Sequence, residues 1–398
     1  MTGPGHQSKT VIVGASLAGL RCAASLRREG YEGEIVLLGN ERHSPYQRPP
    51  LSKAVLTGRA PIERATLRSQ VAPPFELRLG VEATALAAED QVLTLDDRSS
   101  ISYDHLVLTC GARPRHLAAL PPSETVLYFR TLDDAVRLRT RMQESIGRLL
   151  VVGAGFIGSE VASSAREQNW QVTLVDLDAR IMSRVLGEGA SSIVEQRHRE
   201  NGVDLRLSCS ISEAEIDRDG ENSRVSLSDG STLDVDMIVV GIGVEANTEW
   251  LANSSLTLDN GVIVDANGRA EGVNNIYAAG DVASWFHPAY GRHLRFEHFE
   301  SATNQAQKVA ATIAGTDLSP LDELPFAWSD QHGSVIQFLG LSDPSYLERS
   351  LEFSDESPHG QSFGYYDDHG RCRAAVLIDQ SAHLGEVKTT ITQSLRSL

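Results

Sequence analysis

The sequence predicts an α/β protein with two domains built on parallel sheets and a small α+β domain at the C-terminus. An apolar strand-like run, a glycine-rich turn, a helical segment and a second strand follow one another twice, first from residue 11 and again from residue 149. After about residue 320 the pattern changes to strands joined by tight turns. The repeated unit is typical of Rossmann-like dinucleotide-binding domains, so two of them are expected.

The first unit begins with the strand-like run VIVGASLAG at residues 11–19 and a helix that continues to residue 28. Its second strand is EIVLLG at residues 34–39. Short strands and turns follow between residues 75 and 110, and HLVLTCGARPR at residues 105–115 ends the unit. A further strand, NNIYAAGDVA, occupies residues 274–283.

The second unit runs from LLVVGAGFIGSE through QVTLVD to DMIVVGIGVEAN, which starts at residue 236. The first unit and the strand at residues 274–283 enclose this second unit in the sequence. We therefore predict a discontinuous first domain of residues 8–115 and 245–321, a second domain of residues 116–244 and a third of residues 322–398.

The first glycine-rich turn departs from the GxGxxG pattern, because serine stands where the second glycine belongs. The serine hydroxyl could bind a phosphate, or the segment could be a plain strand–helix turn. Asn40 and Glu41 both follow the second strand, and either could hold a ribose hydroxyl. The candidate nucleotide-binding residues in the turn are Gly14, Ser16, Leu17, Ala18 and Gly19.

The second turn has the full pattern, with Gly153, Gly155 and Gly158 enclosing Ala154, Phe156 and Ile157. The first glycine allows the tight turn, the second lets the backbone approach a pyrophosphate, and the third lets helix and strand pack closely. The N-terminus of the helix offers free amides and a partial positive charge to phosphate groups.

Asp176 ends the strand that follows the second turn. A carboxylate there binds the adenosine ribose 2′-hydroxyl and repels a 2′-phosphate, which favours NADH over NADPH. Arg180 and Arg184 lie nearby and could contact the pyrophosphate, lie in solvent or tolerate a phosphate.

Two further features have both a functional and a structural interpretation. Gly280 and Asp281 follow a buried strand, and the aspartate could accept a hydrogen bond from the ribitol of a flavin or cap a helix at VASW. Trp328 in WSDQ could lie against a flavin or belong to the core.

Lys53 and Arg48 lie in PYQRPPLSK, where three prolines stiffen the chain. Lys53 could reach a flavin ring or be solvated. Glu160 lies in the helix that follows the second glycine-rich turn, one helical turn after the helix begins. If buried it needs a cation, for which Lys53 is the candidate, and if exposed it is an acid favoured by the helix dipole.

The composition excludes several classes of protein. The 398 residues include 53 acidic and 36 basic ones, and the net charge of −17 argues against nucleic acid or an anionic membrane as the main partner. Cys22, Cys110, Cys209 and Cys372 are too scattered for a metal site or a CxxC pair, so we expect reduced thiols. With no visible secretory signal in MTGPGHQSK and no membrane-spanning apolar run, a cytoplasmic protein is expected.

Taken together, the motifs resemble flavoproteins of the glutathione-reductase structural class. More closely, they resemble FAD-dependent NADH:ferredoxin reductases of oxygenase systems, the family of putidaredoxin reductase, rubredoxin reductase and dioxygenase ferredoxin reductases. PPLSK followed by WSDQ is typical of this subgroup, whereas residues 375–398 lack the usual family motif. The matching stretches are VIVGASLAGLRCA, PYQRPPLSKAVL, LVLTCGARPR, YFRTLDDA, VVGAGFIGSEVA, GVEANTEWL, IYAAGDVA and FAWSDQHGSVIQFLG.

The resemblance implies that FAD binds to the discontinuous domain and NADH to the domain of residues 116–244. Family members mostly have aspartate where Asn40 stands and threonine where Cys110 stands. The family flavin contacts fall on Ala18, Asn40, Lys53, Ala83, Arg130, Asp281, Phe299 and Trp328. To these we add Arg48 and Gly280. We also add Glu297 and His298, which precede the helix whose N-terminal end faces the flavin. The predicted NADH contacts are Gly153, Gly155, Phe156, Ile157, Gly158, Glu160, Asp176, Arg184 and Gly243.

The implied activity is hydride transfer from NADH to FAD and delivery of single electrons to a [2Fe-2S] ferredoxin, or a rubredoxin, that feeds a monooxygenase or dioxygenase. We predict Lys53 and Glu160 as the catalytic pair, with Lys53 beside the reactive nitrogen of the flavin. The alternatives are an NADH-dependent flavoprotein that reduces a small acceptor such as a quinone, and a non-catalytic FAD/NADH redox sensor.

The expected partner raises a problem of charge, because small ferredoxins are usually acidic and this chain is acidic too. A local basic patch would resolve it. Arg292 and Arg295 with His293 are the candidates, joined by Arg42 and Arg48, although these cations could instead be scattered in solvent.

Overall fold

The computed structural model describes residues 8–67, 75–217, 222–316, 319–353 and 360–396. Most of the N-terminal segment that shows no secretory signal lies outside these ranges. The chain divides into two compact units, so the predicted three-domain division stays a prediction. The first unit contains Met1–Gln47, Thr66–Arg113 and Glu245–Glu323, and the second contains Arg48–Ala65, Pro114–Val244 and Leu324–Leu398.

The first unit is built on a five-stranded parallel sheet. Helices Leu17–Arg28 and Phe299–Ala314 pack against each other. The central strands are buried on both faces, which explains why they are continuous apolar runs in the sequence. In spatial order the strands are Ile276–Ala278, His105–Leu108, Lys9–Val13, Glu34–Gly39 and Glu76–Leu79.

Two smaller sheets complete the first unit. One consists of Ala83–Ala87, Val92–Leu95 and Ser100–Ser102, and the other of Val262–Val264, Ala283–His287 and Arg292–Leu294. Short 3₁₀ turns occupy Glu249–Leu251, Gly280–Val282 and Pro288–Tyr290.

The second unit contains another five-stranded parallel sheet, a small antiparallel sheet and a larger one formed by the C-terminal residues. The parallel strands in spatial order are Val203–Arg206, Gln171–Val175, Arg148–Val152, Met237–Val240 and Val126–Tyr128. The small sheet consists of Ile211–Glu215, Ser223–Leu227 and Thr232–Val235. The C-terminal antiparallel sheet has the order Phe326–Gln331, Ser334–Gly340, Cys372–Ile378, Gln361–Tyr366 and Leu347–Ser350.

The described residues of the second unit include four α-helices: Leu132–Glu144, Phe156–Glu167, Glu188–Glu200 and Leu384–Arg396. Helix Leu132–Glu144 starts with a capping box between Thr131 and Asp134. Helix Leu384–Arg396 buries Val387, Ile391 and Leu395 at a spacing of four, as an amphipathic helix does, and packs on strand Cys372–Ile378. The C-terminal part is therefore α+β, as predicted.

The remaining elements are short. The second unit has a π-helical turn at Leu51–Val55 and 3₁₀ turns at Ile62–Ala65 and Ser381–His383. Strands Ala112–Pro114 and Val244–Ala246 lie where the chain passes between the units. Among the described residues, no helix is long and apolar enough to cross a membrane.

Candidate functional site

The second glycine turn connects strand Arg148–Val152 to helix Phe156–Glu167. A Cβ on Gly158 would lie 1.8 Å from the Gly153 carbonyl oxygen, and Gly153 itself has a φ of +104°. Packing within the protein therefore requires both glycines. A Cβ on Gly155 would meet no atom within 4 Å, so the space beside the N-terminus of this helix is open. That is the place where a pyrophosphate would approach the backbone.

Asp176 follows strand Gln171–Val175 and forms a hydrogen bond to the second glycine turn. Its Oδ2 accepts a hydrogen bond from the Ala154 amide at 2.5 Å, and its Oδ1 accepts one from the Asp178 amide at 2.8 Å. The carboxylate is thus fixed beside the turn, at the carboxyl edge of the parallel sheet, where a ribose hydroxyl would bind.

Other predicted NADH contacts also lie in the second unit. Ile157 is 39% exposed at the start of the helix, and the Phe156 ring packs edge-on against Phe338 with ring centroids 4.8 Å apart. Gly243 has a φ of +97°, and a Cβ there would lie 3.6 Å from a guanidinium nitrogen of Arg184. The two residues are therefore neighbours, although they are far apart in the sequence.

The first glycine turn has the same construction. A Cβ on Gly14 would lie 2.2 Å from the Thr109 carbonyl oxygen, and one on Gly19 would lie 2.0 Å from the Gly14 oxygen. Ser16 is the N-cap of helix Leu17–Arg28, the position that Gly155 takes in the second turn, and its side chain makes no capping hydrogen bond. The serine therefore fits this turn, and its hydroxyl is not used to cap the helix.

The turn Gly280–Val282 packs next to this helix. A Cβ on Gly280 would lie 3.2 Å from the Ala18 Cβ, and the Gly280 amide donates to Gln305 Oε1 at 2.8 Å. Asp281 thus lies near the first glycine turn, as a polyol-binding carboxylate would. The alternative of a helix cap at VASW is wrong, because strand Ala283–His287 follows instead.

The remaining candidates of the first unit differ in their surroundings. Asn40 is exposed after strand Glu34–Gly39, whereas the Glu41 carboxylate accepts a hydrogen bond from the Tyr46 hydroxyl at 2.6 Å. Ala83 is buried at the start of its strand. Three candidates occur together before and at the start of helix Phe299–Ala314: Glu297, His298 and Phe299.

The sequence suggested Arg295 as part of a docking surface, but its position in the structure does not suit that role. Its side chain is only 8% exposed and forms an ion pair with Glu297 at 2.7 Å. Its guanidinium also donates to the Asp281 carbonyl oxygen at 3.3 Å. Arg292 and His293, in contrast, are exposed on strand Arg292–Leu294.

Lys53 and Glu160 form a buried ion pair in the second unit, as the sequence suggested. Lys53 Nζ lies 2.9 Å from Glu160 Oε1, and the side chains are 12% and 3% exposed. Lys53 is part of the π-helical turn Leu51–Val55, not of an extended loop, and the helical backbone is interrupted at this residue. The catalytic role of the pair stays a prediction.

Two serines complete the surroundings of the Glu160 carboxylate. Ser52 donates to Oε2 at 2.5 Å and Ser329 donates to Oε1 at 2.6 Å. Burial raises the pKa of Glu160, while the Lys53 ammonium and the two hydroxyls act in the opposite direction. Ser164 on the same helix donates to the Ser52 carbonyl oxygen at 2.6 Å, which fixes the lysine-bearing turn against the helix.

Other candidates lie in the same unit as the pair. Lys53 Nζ is 3.9 Å from Asp330 Oδ2 and 6.0 Å from the centroid of the Trp328 ring. Arg48 donates to the Arg130 carbonyl oxygen at 2.6 Å. The structure therefore brings Arg48, Lys53, Arg130, Glu160 and Trp328 into one unit, and it places the other flavin candidates in the first unit.

Sequence reasoning missed the two serines as partners of Glu160. A signal for Ser329 was available: strand Phe326–Gln331 buries alternate residues, and two polar ones, Ser329 and Gln331, lie on its buried face. Buried polar groups require hydrogen-bond partners, so their presence on that face indicated a polar network.

The four cysteines are free thiols. Burial raises the pKa of Cys22 and of Cys110 to about 12, so neither is a ready thiolate. Cys110 Sγ lies 3.4 Å from the Asn247 carbonyl oxygen, and none of the contacts of Lys53 and Glu160 described above involves a cysteine.

Two glycine turns, each joining a strand of a parallel sheet to the N-terminus of a helix, are the arrangement typical of oxidoreductases that bind two dinucleotides. The chain belongs to the pyridine nucleotide-disulphide oxidoreductase family, whose model matches residues 8–306. Membership of this family implies FAD as the cofactor and NADH as the substrate, as the resemblance predicted.

Similarity to individual proteins shows which members of this family the chain resembles. Putidaredoxin reductase of Pseudomonas putida is 37% identical over 397 residues, which cover 97% of this chain and 92% of the relative. The ferredoxin–NAD(+) reductase component of the p-cumate 2,3-dioxygenase system of Pseudomonas putida is 38% identical over 336 residues, covering 84% and 81%. The crystal structure of the covalent putidaredoxin reductase–putidaredoxin complex matches with a TM-score of 0.90 at 34% identity, covering 97% and 93% of the two chains. The predicted fold and oxidoreductase class are confirmed.

Proposed function

We propose that this protein takes electrons from NADH through FAD and delivers them singly to a [2Fe-2S] ferredoxin, or a rubredoxin, that serves a monooxygenase or dioxygenase. The observation that carries the proposal is the buried Lys53–Glu160 pair, which supplies a fixed charge without any cysteine partner. The names of the relatives, ferredoxin–NAD(+) reductases among them, support the same acceptor class.

The second unit would hold NADH. The open space at Gly155 admits the pyrophosphate, and the helix amides beside it bind the phosphate oxygens. Asp176 accepts a hydrogen bond from the ribose and repels a 2′-phosphate, so NADH is preferred over NADPH. Arg184 and Gly243 lie next to each other and contribute to the same site.

The first unit would hold the dinucleotide part of FAD. The Ser16 hydroxyl binds a phosphate, and Asp281 accepts a hydrogen bond from a ribitol hydroxyl. Arg295 fixes the backbone of Asp281 and so acts as a positioning residue rather than a docking residue. FAD, when bound, accepts a hydride and can release electrons one at a time.

Lys53 would supply positive charge where negative charge develops during reduction. A charge that is fixed before the reaction stabilises the transition state without the cost of reorganisation. Glu160 and the two serines keep the ammonium in place. Because none of the contacts described for Lys53 and Glu160 involves a cysteine, we propose that electrons leave to an external acceptor and not through a thiol relay.

The free thiols provide a direct check. We expect Cys110→Ser to leave NADH-driven ferredoxin reduction within about twofold of the wild type, because the buried Cys110 thiol is not ionised at neutral pH. Steady-state cytochrome c reduction through ferredoxin measures this, with flavin content determined in parallel. A large loss of activity at full flavin content would mean that a thiol relay takes part.

The docking surface would include Arg292 and His293, which are exposed side by side. A local positive patch allows an acidic partner to approach an acidic protein. Arg295 is excluded from this proposal, because it is largely buried and paired with Glu297.

Reversing this charge should affect only the partner reaction. We expect Arg292→Glu to lower kcat/KM for ferredoxin about tenfold at low salt, with a smaller difference at high salt, and to leave NADH–dye reduction unchanged. Arg28→Glu, the same charge change at an exposed arginine of the first unit, is the control. An equal effect of both variants, or an effect on dye reduction, contradicts the docking surface.

The proposed function itself is tested with purified protein. A flavin absorbance spectrum, bleaching by NADH and turnover with [2Fe-2S] ferredoxins or rubredoxins are the expected results. Faster turnover with quinones than with any ferredoxin would favour the small-acceptor alternative. A long-lived charge-transfer band after NADH addition, with little turnover, would favour the redox sensor. We also propose that the protein works in the reducing environment of the cytoplasm, consistent with its free cysteines.

A further inference from the structure

Glu160 is one end of a buried row of hydrogen bonds in the second unit. Ser329 Oγ, which donates to Glu160, accepts from Gln331 Nε2 at 2.9 Å. Gln331 Oε1 lies 3.0 Å from His198 Nε2, and His198 Nδ1 lies 3.0 Å from His332 Nε2. His198 is completely buried. Ser329 helps to keep the Lys53 ammonium in place in the function proposed above, whereas Gln331, His198 and His332 have no part in it.

The chemistry of each group fixes the direction of the row. The Gln331 amide nitrogen only donates, so Ser329 must accept there and can give its single proton only to Glu160. The Gln331 oxygen only accepts, so His198 must carry its proton on Nε2. His198 Nδ1 then accepts from His332 Nε2. Every donor therefore points toward the carboxylate.

This direction requires His198 to be neutral, because its Nδ1 accepts a hydrogen bond, whereas His332 donates from Nε2 in either charge state. Burial lowers the pKa of His198 to about 4 and that of His332 to about 3, so both are neutral at pH 7. The charged groups that face the row are Lys53 and Asp330 at the Glu160 end and Arg166 near His332.

A protonated Glu160 is a weaker acceptor for these donors than the ionised carboxylate is. Its Oε1 already accepts from Lys53 and Ser329, and its Oε2 accepts from Ser52. A proton on Oε1 would turn the serine proton toward the Gln331 amide, which offers no acceptor on that side. The row therefore favours the ionised carboxylate, against the effect of burial.

We propose that His198 is a positioning residue, which acts through Gln331 and Ser329 to keep Glu160 ionised beside Lys53. Without the His198 donor, the Gln331 amide is free to turn over and present its oxygen to Ser329. The serine then donates to Gln331, and Glu160 loses one of its donors. The consequence of this effect of His198 for electron transfer rests on the proposed function. The effect on the ionisation of Glu160 does not depend on that function.

The test measures Glu160 directly. Infrared spectra of the oxidised holoenzyme are recorded against pH, and the carbonyl band of a buried carboxylic acid is assigned by its loss in Glu160→Gln. In the wild type we expect an ionised Glu160 at pH 7. In Ser329→Ala and in His198→Phe the protonation midpoint should rise by about one pH unit, a tenfold gain in proton affinity.

Two comparisons make the test specific. Ser159→Ala is the matched control, because Ser159 precedes Glu160 on the same helix and its buried hydroxyl has no hydrogen-bond partner. We expect no shift there. In the double variant His198→Phe/Ser329→Ala, the protonation midpoint of Glu160 should rise no further than in either single variant, because both changes remove the same donor.

A second measurement does not depend on any variant. The ¹⁵N spectrum of histidine-labelled protein should show His198 as the neutral Nε2–H tautomer at pH 7. An Nδ1–H tautomer, an imidazolium, or a His198→Phe variant with an unshifted midpoint would overturn the proposal. Because these measurements need neither NADH nor ferredoxin, failure of the proposed function would leave their outcome unaffected.

Discussion

Lys53→Ala is expected to slow reduction of the bound flavin by NADH about a hundredfold or more, the usual effect of removing one preorganised charge from a reaction site. The ammonium is held by Glu160 at 2.9 Å and is largely buried, so solvent cannot replace its charge. Stopped-flow measurement of flavin bleaching gives the rate at saturating NADH. An unchanged rate would exclude the catalytic role of Lys53.

This variant also leaves Glu160 as a buried, unpaired carboxylate, which costs about 3–5 kcal/mol of folding free energy. The double variant Lys53→Ala/Glu160→Gln removes that charge and should recover much of the stability, but not the rate. Lys388→Ala, at an exposed lysine of helix Leu384–Arg396, is the matched control. It should change neither the stability of the protein nor the rate of flavin reduction. Recovery of the rate in the double variant would show that Lys53 acts only on stability.

Gly155→Ala is expected to weaken NADH binding at least about tenfold while the fold keeps its stability within about 1 kcal/mol. Gly155 has a φ of −80°, which alanine adopts freely, and a Cβ there meets no protein atom within 4 Å. The methyl group would occupy only the space where the pyrophosphate approaches. Calorimetric NADH titration and thermal unfolding measure the two quantities.

Gly158→Ala provides the contrasting case in the same turn. Its Cβ would lie 1.8 Å from the Gly153 oxygen, so this variant should lose about 1–3 kcal/mol or more of stability through overpacking. If Gly155→Ala binds NADH like the wild type, the second glycine turn is not the pyrophosphate site.

The strands and helices of both parallel sheets could be predicted from the sequence because strands buried on both faces are continuous apolar runs bounded by glycine. Helix Leu17–Arg28 begins and ends where the pattern indicated. The turn at Leu51–Val55 was not foreseen as helical, since proline-rich segments usually favour extended backbone.

Most of the predictable part of the site lies where the spacing within one segment defines it. The glycine turns and Asp176 follow this rule, since a strand, a turn and a helix fix their geometry. The pairing of Lys53 with Glu160 could be argued from charge alone, because a buried acid needs a cation. The burial of Arg295 and the row from Ser329 to His332 could not be derived, because they depend on tertiary contacts between distant segments.

The three segments that surround Glu160 become available at different times during synthesis of the chain. Ser52 precedes Glu160 by 108 residues, and Ser329 follows it by 169. At the usual rate of translation, about 5–20 residues per second, the ribosome needs roughly 8 to 34 s to reach Ser329 after Glu160. For that period the lysine turn has been synthesised but the hydroxyl of Ser329 has not, so the surroundings of Glu160 can be completed only after residue 329 has been added to the chain.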